Sequence, residues 1–310
     1  MLNHRLILER VLNTPLLAHP AKAEIVAAVV LRQANIEVNV AANAEIVNAP
    51  KRLGPLQEQM LREQDYDDRP FLFGQGIAVV EVTGSLAHRQ WHLRESSGVM
   101  GYDGIGAQFD AARADREVRA IMIDIHSPGG EGSGCFQLAD RIFAARGEKP
   151  LIAVADEMAF SAAYAIAAAC DEVYLASETA GAGSVGAAYV HMSFERMIKG
   201  EGVKATIFQS GERKLEGNPL EDLSPETIEI IQAEVDLYGR MFEGRVAKWR
   251  RLSPEAVRAT EAATFMGQTA IDVGFADGIA TPFQVFDALI AEIGAPQTAG
   301  LVAVQQRSPT

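Results

Sequence analysis

The sequence predicts an α/β fold, on two observations. Short apolar runs recur through its middle at 77–82, 118–125, 151–155, 173–176, 185–191 and 203–209, and helical patterns lie between them. Most runs are bounded by Gly, Pro or charge, as expected of strands buried on both faces of a parallel sheet.

In chain order, residues 1–70 read as an arm or small subdomain, with a helical pattern at 21–34 and a polar stretch at 48–68 broken by Pro50, Gly54 and Pro55. Residues 71–285 form the principal domain. Its helical patterns lie at 134–145, from Asp156 to Cys170, and most clearly at 225–249. There Ile228, Ile231, Val235, Tyr238, Phe242, Val246 and Trp249 recur every three or four positions. Ser224 before Pro225 is a helix start, and Ser253 before Pro254 repeats it. Residues 286–310 read as the end of a C-terminal helix and a tail. From Gly294 the tail is small and polar, and mobility is expected there.

Composition narrows the function. The 310 residues are 48% hydrophobic and 22% charged, enough to bury a sizeable core, and the formal net charge is −13. Such a balance argues against phosphate-backbone binding, so no nucleic-acid partner is expected. The local basic run of Lys248, Arg250 and Arg251 sits where cations complement a helix C-terminus. Two cysteines, Cys135 and Cys170, make neither a disulfide framework nor a metal spacing. Neither metal nor cofactor is expected. The most apolar early run, 25–31, is too short to span a bilayer, so a soluble cytoplasmic protein is the expectation.

Four segments carry chemistry. Ser127-Pro128-Gly129-Gly130 follows a strand; its glycines let the backbone turn and present N–H groups. Such donors stabilise an oxyanion, each worth about 3 kcal/mol of barrier; an ordinary strand-to-helix turn reads the same way. Ser161 opens a helix of small residues, where a hydroxyl meets the positive end of a dipole, or simply caps or packs the helix. Gly181-Ala182-Gly183-Ser184-Val185-Gly186 reads as a flexible turn entering a strand, with Ser184 placed to orient a base or merely to turn the chain. Its spacing is wrong for a nucleotide fingerprint. Ser210-Gly211-Glu212-Arg213-Lys214 begins a Gly-rich loop; a loop lysine is usually solvated.

The order of these segments resembles the signal-peptide-peptidase-A family of serine peptidases, within the Clp-protease and crotonase fold group of repeated ββα units. The likeness runs from about residue 76 to 280 and includes the closing pattern from Phe265 to Asp277. Within the family it is similar to the lambda-type phage capsid assembly (head maturation) proteases, in residues 97–105, 214–219 and 260–263. Bacterial membrane members carry an N-terminal anchor, which this sequence does not show, and the phage branch fits that. The lambda-type protein continues into a long scaffolding region, whereas this sequence stops at Thr310.

The resemblance implies that Ser161 is the nucleophile and Lys214 the base, with Gly129 and the Ala162 N–H forming the oxyanion hole. Gly130, Gly183, Ser184 and Val185 would support the site or bind substrate. Family members often place Gly-Gly or Ala-Gly after the nucleophile; here Ala162-Ala163 keeps the residues small. A free lysine titrates near pH ~10.4, so a lysine base must be shielded by substrate, by a neighbouring subunit or by its own loop. His191 offers a Clp-like Ser-His-Asp alternative, and His126 reads as a strand-end residue. The implied partners are capsid, portal or scaffold proteins in the host cytoplasm or the procapsid, and further copies of the chain itself. A small or aliphatic residue before the cut is expected. A crotonase-like acyl-CoA enzyme and a non-proteolytic capsid assembly factor remain the rivals.

Overall fold

The computed structural model describes residues 16–18 (as backbone), 56, 60, 68–89 and 99–294. The helical pattern at 21–34, most of the arm and the tail beyond Gly294 lie outside the described residues.

Ten strands of the described residues form one sheet. They are β1 (Leu16–Ala18), β2 (Leu72–Gly74), β3 (Ile77–Ala87), β4 (Val99–Gly101), β5 (Ala120–Glu131), β6 (Leu151–Phe160), β7 (Glu172–Leu175), β8 (Gly181–Gly183), β9 (Thr264–Met266) and β10 (Gly278–Ile279). Its central path is β10-β7-β6-β5-β3-β2, with β1 on β5, β4 on β3, and β8 joining β6 to β9. The β3–β5–β6–β7–β10 body is parallel throughout. The helices are α1 (Tyr102–Ala114), α2 (Cys135–Ala144), α3 (Ala162–Ala168), α4 (Glu195–Gly200), α5 (Pro225–Arg250), α6 (Pro254–Arg258), α7 (Gln268–Asp272) and α8 (Pro282–Gly294).

Both faces of the sheet are covered, which explains the continuous apolar runs. Ala78, Val80 and Val82 of β3, Ile121, Ile123 and Ile125 of β5, and Ala153 and Ala155 of β6 point into the larger core, with α1, α2, α3 and the end of α5. Their alternates Ile77, Val79, Ala120, Met122, Ile152 and Val154 point the other way, onto Val285, Phe286 and Leu289 of α8 together with Leu56 and Met60. The strand period of two thus sorts one sequence into two cores.

The long helix forms as its spacing predicts. Ser224 Oγ accepts from Thr227 N at 3.1 Å, and Ser253 Oγ accepts from Ala256 N at 3.1 Å to start α6. Only the C-terminal half of α5 is anchored, through Phe242, Val246 and Trp249, each worth roughly 1.5–3 kcal/mol on full burial. Its N-terminal half leaves Ile228 and Leu237 exposed.

Two expected strands do not form. After β8, Ser184 takes a positive φ of 56° and Gly186 N donates back to the Ser184 carbonyl at 3.1 Å, so the chain turns out of the sheet before 185–191. Residues 203–209 have no strand beside them among the described residues; Phe208 is 91% exposed. In contrast, Gly181–Gly183, which reads as a flexible turn, is a strand held between β6 and β9. Helix α8 runs through the 285–286 boundary drawn from sequence.

Candidate active site

The parallel ladder of β5 and β6 builds the site. Ser127 lies opposite Ala159, after an irregularity that follows Ile125. Two residues further along stand Gly129, still within β5 and paired with Ser85, and Ser161, where the chain leaves β6; the expected turn at 127–130 is thus strand. A second bulge falls at Gly84 in β3, between Thr83 and Ser85. Bulges of this kind bend strand ends and re-aim the residues beyond them.

Ser161 occupies the turn from β6 into α3. Its φ of 54° and ψ of −120° are a conformation that side chains other than glycine's rarely adopt. The turn is held because Ser161 N donates to the Gly183 carbonyl at 2.8 Å and Ala165 N donates to the Ser161 carbonyl at 3.0 Å. The Ser161 hydroxyl makes no capping bond to its own helix. A serine on a strained strand-to-helix turn is the geometry of a nucleophile elbow. Ala162 begins α3, and the first amides of a helix have no partner within it.

Helix α3 is fixed from behind. All seven of its residues are buried. Arg146 caps its far end, with Nη2 donating to the Ala168 carbonyl at 2.7 Å and to that of Cys170, and Nε to Ala169 at 2.9 Å. Its Nη1 reaches the Trp249 carbonyl at 3.1 Å, tying α3 to α5. Tyr164 Oη donates to the Phe275 carbonyl at 3.0 Å.

The glycine turn is equally fixed. Ser127 is fully buried; its hydroxyl donates to the Gly84 carbonyl at 2.6 Å and accepts from Gly129 N at 3.1 Å. Gly129 has a φ of 95°, and a Cβ on Gly130 would stand 1.8 Å from the Leu86 carbonyl oxygen. Tyr102 Oη donates to the Glu131 carbonyl at 2.6 Å, and the Glu131 carboxylate accepts from His88 N at 2.8 Å. Burial pushes the Tyr102 phenol well above its ordinary range, so it acts as a donor and not as an acid.

The structure therefore gathers Ser161, Ala162, Gly129 and Gly130 at adjoining strand ends, with Gly183, Ser184 and Val185 on the neighbouring β8 and the turn after it. Ser184 and Val185 are buried, and Ser184 N donates to the Ala263 carbonyl at 2.9 Å. It does not bring Lys214 to them. Lys214 lies on an exposed turn whose backbone closes through Lys214 N to the Gly211 carbonyl at 3.1 Å, and its ammonium forms no bond to Ser161. His191 is half-buried on the irregular segment beyond β8. His126, expected at a strand end, lies inside β5, which continues to Glu131; its Nδ1 is hydrogen-bonded to the Asp156 carbonyl at 2.7 Å. Among the described residues no cluster of His, Cys, Asp or Glu is arranged to hold a metal, and no helix is long and apolar enough to cross a membrane.

Ser127 is the residue beside the candidate site that sequence reasoning passes over. It reads as part of a turn, yet it holds the Gly129 N–H assigned to the oxyanion. The signal is present: a serine two residues before a glycine is a side-chain-to-backbone turn in waiting.

Comparison with known proteins decides the family. The model of Peptidase family S49 matches residues 144–294, which hold both Ser161 and Lys214. The chain carries a peptidase family S49 domain. Its fold is the Clp-protease-like α/β fold of that family, as expected. The chain is 38% identical to the head-tail preconnector protein GP5 of Enterobacteria phage P21, over 87% of this chain and 54% of that protein. It is 34% identical to capsid assembly protease C of Escherichia phage lambda, over 86% of this chain and 60% of that protein. Protease 4 of Salmonella typhi is 27% identical over 66% of this chain and 33% of its own length. The chain thus spans a little over half the length of the two phage relatives. The S49 match begins after the Ser127–Gly130 segment.

Proposed function

We propose that this S49 domain is a serine endopeptidase that cuts capsid, portal or scaffold proteins during phage head assembly in the host cytoplasm. The observation that carries the reading is Ser161, held at φ 54° on a strand-to-helix turn beside the N–H groups of the Gly129–Gly130 turn. The hydroxyl attacks a peptide carbonyl, the carbonyl oxygen takes up charge against Ala162 N–H and the glycine turn, and water resolves the acyl-enzyme. For Gly129 N–H to serve the oxyanion, it shares or exchanges its bond to Ser127; Gly130 is the adjacent donor.

Lys214 supplies the base in this reading. Its turn is exposed and makes no bond to Ser161, so the ammonium reaches a serine by movement of the loop or by entering the site of a neighbouring copy. The exposed apolar residues Val203, Phe208, Leu215 and Leu220 around that turn, with Ile228 and Leu237 on α5, are a surface suited to a second subunit. Burial between copies is also what would strip the lysine of water.

The deciding experiment treats wild type, Ser161→Ala, Lys214→Ala and His191→Ala with a fluorophosphonate probe and with the cognate portal, capsid and scaffold proteins. Cleavage in wild type and in His191→Ala, lost in the other two, is expected. Loss in His191→Ala with activity kept in Lys214→Ala would reverse the choice of base. Intact substrates with every variant, wild type included, would leave a non-proteolytic assembly factor. Mixing Ser161→Ala with Lys214→Ala recovers cleavage if the base comes from a neighbouring copy.

A further inference from the structure

Strand β5 outlasts its neighbour β6. The two pair as far as Ser127 and Ala159, after which β6 turns into α3 at Ser161. Beyond Ser127 the β5 backbone keeps β3 on one side, with Ser85 opposite Gly129 and Leu86 opposite Gly130. The other side, the one β6 vacates where Ser161 stands, is taken by β1. It pairs antiparallel, with Leu16 opposite Glu131, Leu17 opposite Gly130 and Ala18 opposite Gly129.

An extended strand laid along the glycine turn next to a nucleophilic serine is in the position of a peptide substrate, bound through backbone hydrogen bonds. The direction also fits. The antiparallel chain runs from Glu131 toward Gly129, so Ala18 is its last paired residue and faces the glycine whose N–H is assigned to the oxyanion. We propose that residues 16–18 are a tethered substrate strand, which covers the site of its own chain until Ser161 cuts after Ala18. The inference rests on the reading of Ser161 as a nucleophile.

The reaction balances without any outside reagent but water. Ser161 Oγ bonds to the Ala18 carbonyl carbon and its proton passes to the base. The bond from Ala18 to the nitrogen of His19 breaks, and that nitrogen takes the proton as a new amino terminus. Water then hydrolyses the ester, restoring the Ser161 hydroxyl and leaving Ala18 with a free carboxylate. The occupant also names the subsite: a small residue at the position before the cut, preceded by two leucines.

The test uses the full chain. Wild type, Ser161→Ala, Leu17→Pro and Ala18→Trp are incubated, and their products are read by intact mass and N-terminal sequencing. In parallel, the rate of fluorophosphonate labelling at Ser161 is measured. A product beginning at His19 is expected in wild type, absent in Ser161→Ala and lost in Ala18→Trp. Ser161→Ala chains are expected to stay uncut after Ala18 when wild type is added. Leu17→Pro removes a strand N–H and is expected to be labelled severalfold faster than uncleaved wild type. If Ser161 is labelled and cognate proteins are cut, but no product begins at His19 and Leu17→Pro labels at the wild-type rate, the tethered strand is overturned and the nucleophile reading stands. If wild type and Leu17→Pro are both unlabelled and no cognate protein is cut, the nucleophile reading falls and the strand proposal with it. A first cut at another bond overturns the register, and cutting of Ser161→Ala chains by added wild type overturns the seating in the chain's own site.

Discussion

Gly129 N–H donates to the hydroxyl of Ser127 at 3.1 Å, and that hydroxyl donates in turn to the Gly84 carbonyl at 2.6 Å. One buried side chain thus ties the glycine turn of β5 to the bulge of β3. Replacing Ser127 by Ala leaves both backbone groups without that partner. The expected loss is about 1–3 kcal/mol of stability, the usual cost of a buried polar group left unpaired. Chemical denaturation of the purified variant measures it. Turnover is expected to change separately from stability, because Gly129 N–H is released from its bond to Ser127.

Gly130 is expected to tolerate no side chain. Its Cβ would stand 1.8 Å from a backbone oxygen of β3, which cannot swing aside as a side-chain end does. Gly130→Ala must part β5 from β3 near Ser161. A lowered melting temperature together with lost fluorophosphonate labelling is expected, and calorimetry beside labelling checks both.

The turn at Ser161 stores backbone strain. Glycine reaches φ 54° and ψ −120° without cost, while strain of this kind is worth of order 1–3 kcal/mol in other residues. Ser161→Gly is therefore expected to be more stable than Ser161→Ala, although both abolish labelling. Because glycine also loses more freedom on folding, the net difference is expected near ~1 kcal/mol. Urea titration of the pair gives the sign.

The two thiols answer to pH through burial. It pushes Cys135 from an ordinary value of 9.0 up to about 12, and raises Cys170 as well. A thiol whose folded pKa is raised contributes stability that is complete below the unfolded value and is lost as pH climbs toward the folded one. Alkaline weakening is thus expected from about pH 9 upward. Neither cysteine should react with iodoacetamide at about pH 8 until denaturant is added, and mass spectrometry of alkylated protein tests this.

Much of this architecture is legible in the residues. Strands β3, β5, β6 and β7 announce themselves as apolar runs because both faces of each are buried. Helix α5 carries its period and its caps openly. The turn at Ser161 is readable because small residues follow a strand. Other parts depend on partners distant in sequence. Gly-Ala-Gly at 181–183 has little preference for strand and becomes one only between β6 and β9. Helix α1 carries Gly104 and Gly106, poor helix formers; at Gly106 a side chain would collide with the Arg141 guanidinium, 1.8 Å from an added Cβ. The apolar run at 203–209 invites a strand, but a strand needs a neighbour, and the sheet edge is elsewhere. The serine's surroundings are readable, whereas the distance between Ser161 and Lys214 is not, since no local pattern fixes where a long exposed turn comes to rest.

The alanine-rich helix that follows Ser161 has one more implication. With every residue of α3 enclosed and its last carbonyls gripped by Arg146, the segment has no way to fray on its own. Its amide protons should trade with deuterium only when the whole molecule opens. The slowest-exchanging stretch of the chain and the stretch that follows Ser161 would then be the same, so any treatment that softens the protein enough to loosen this helix would already have dissolved the sheet around it.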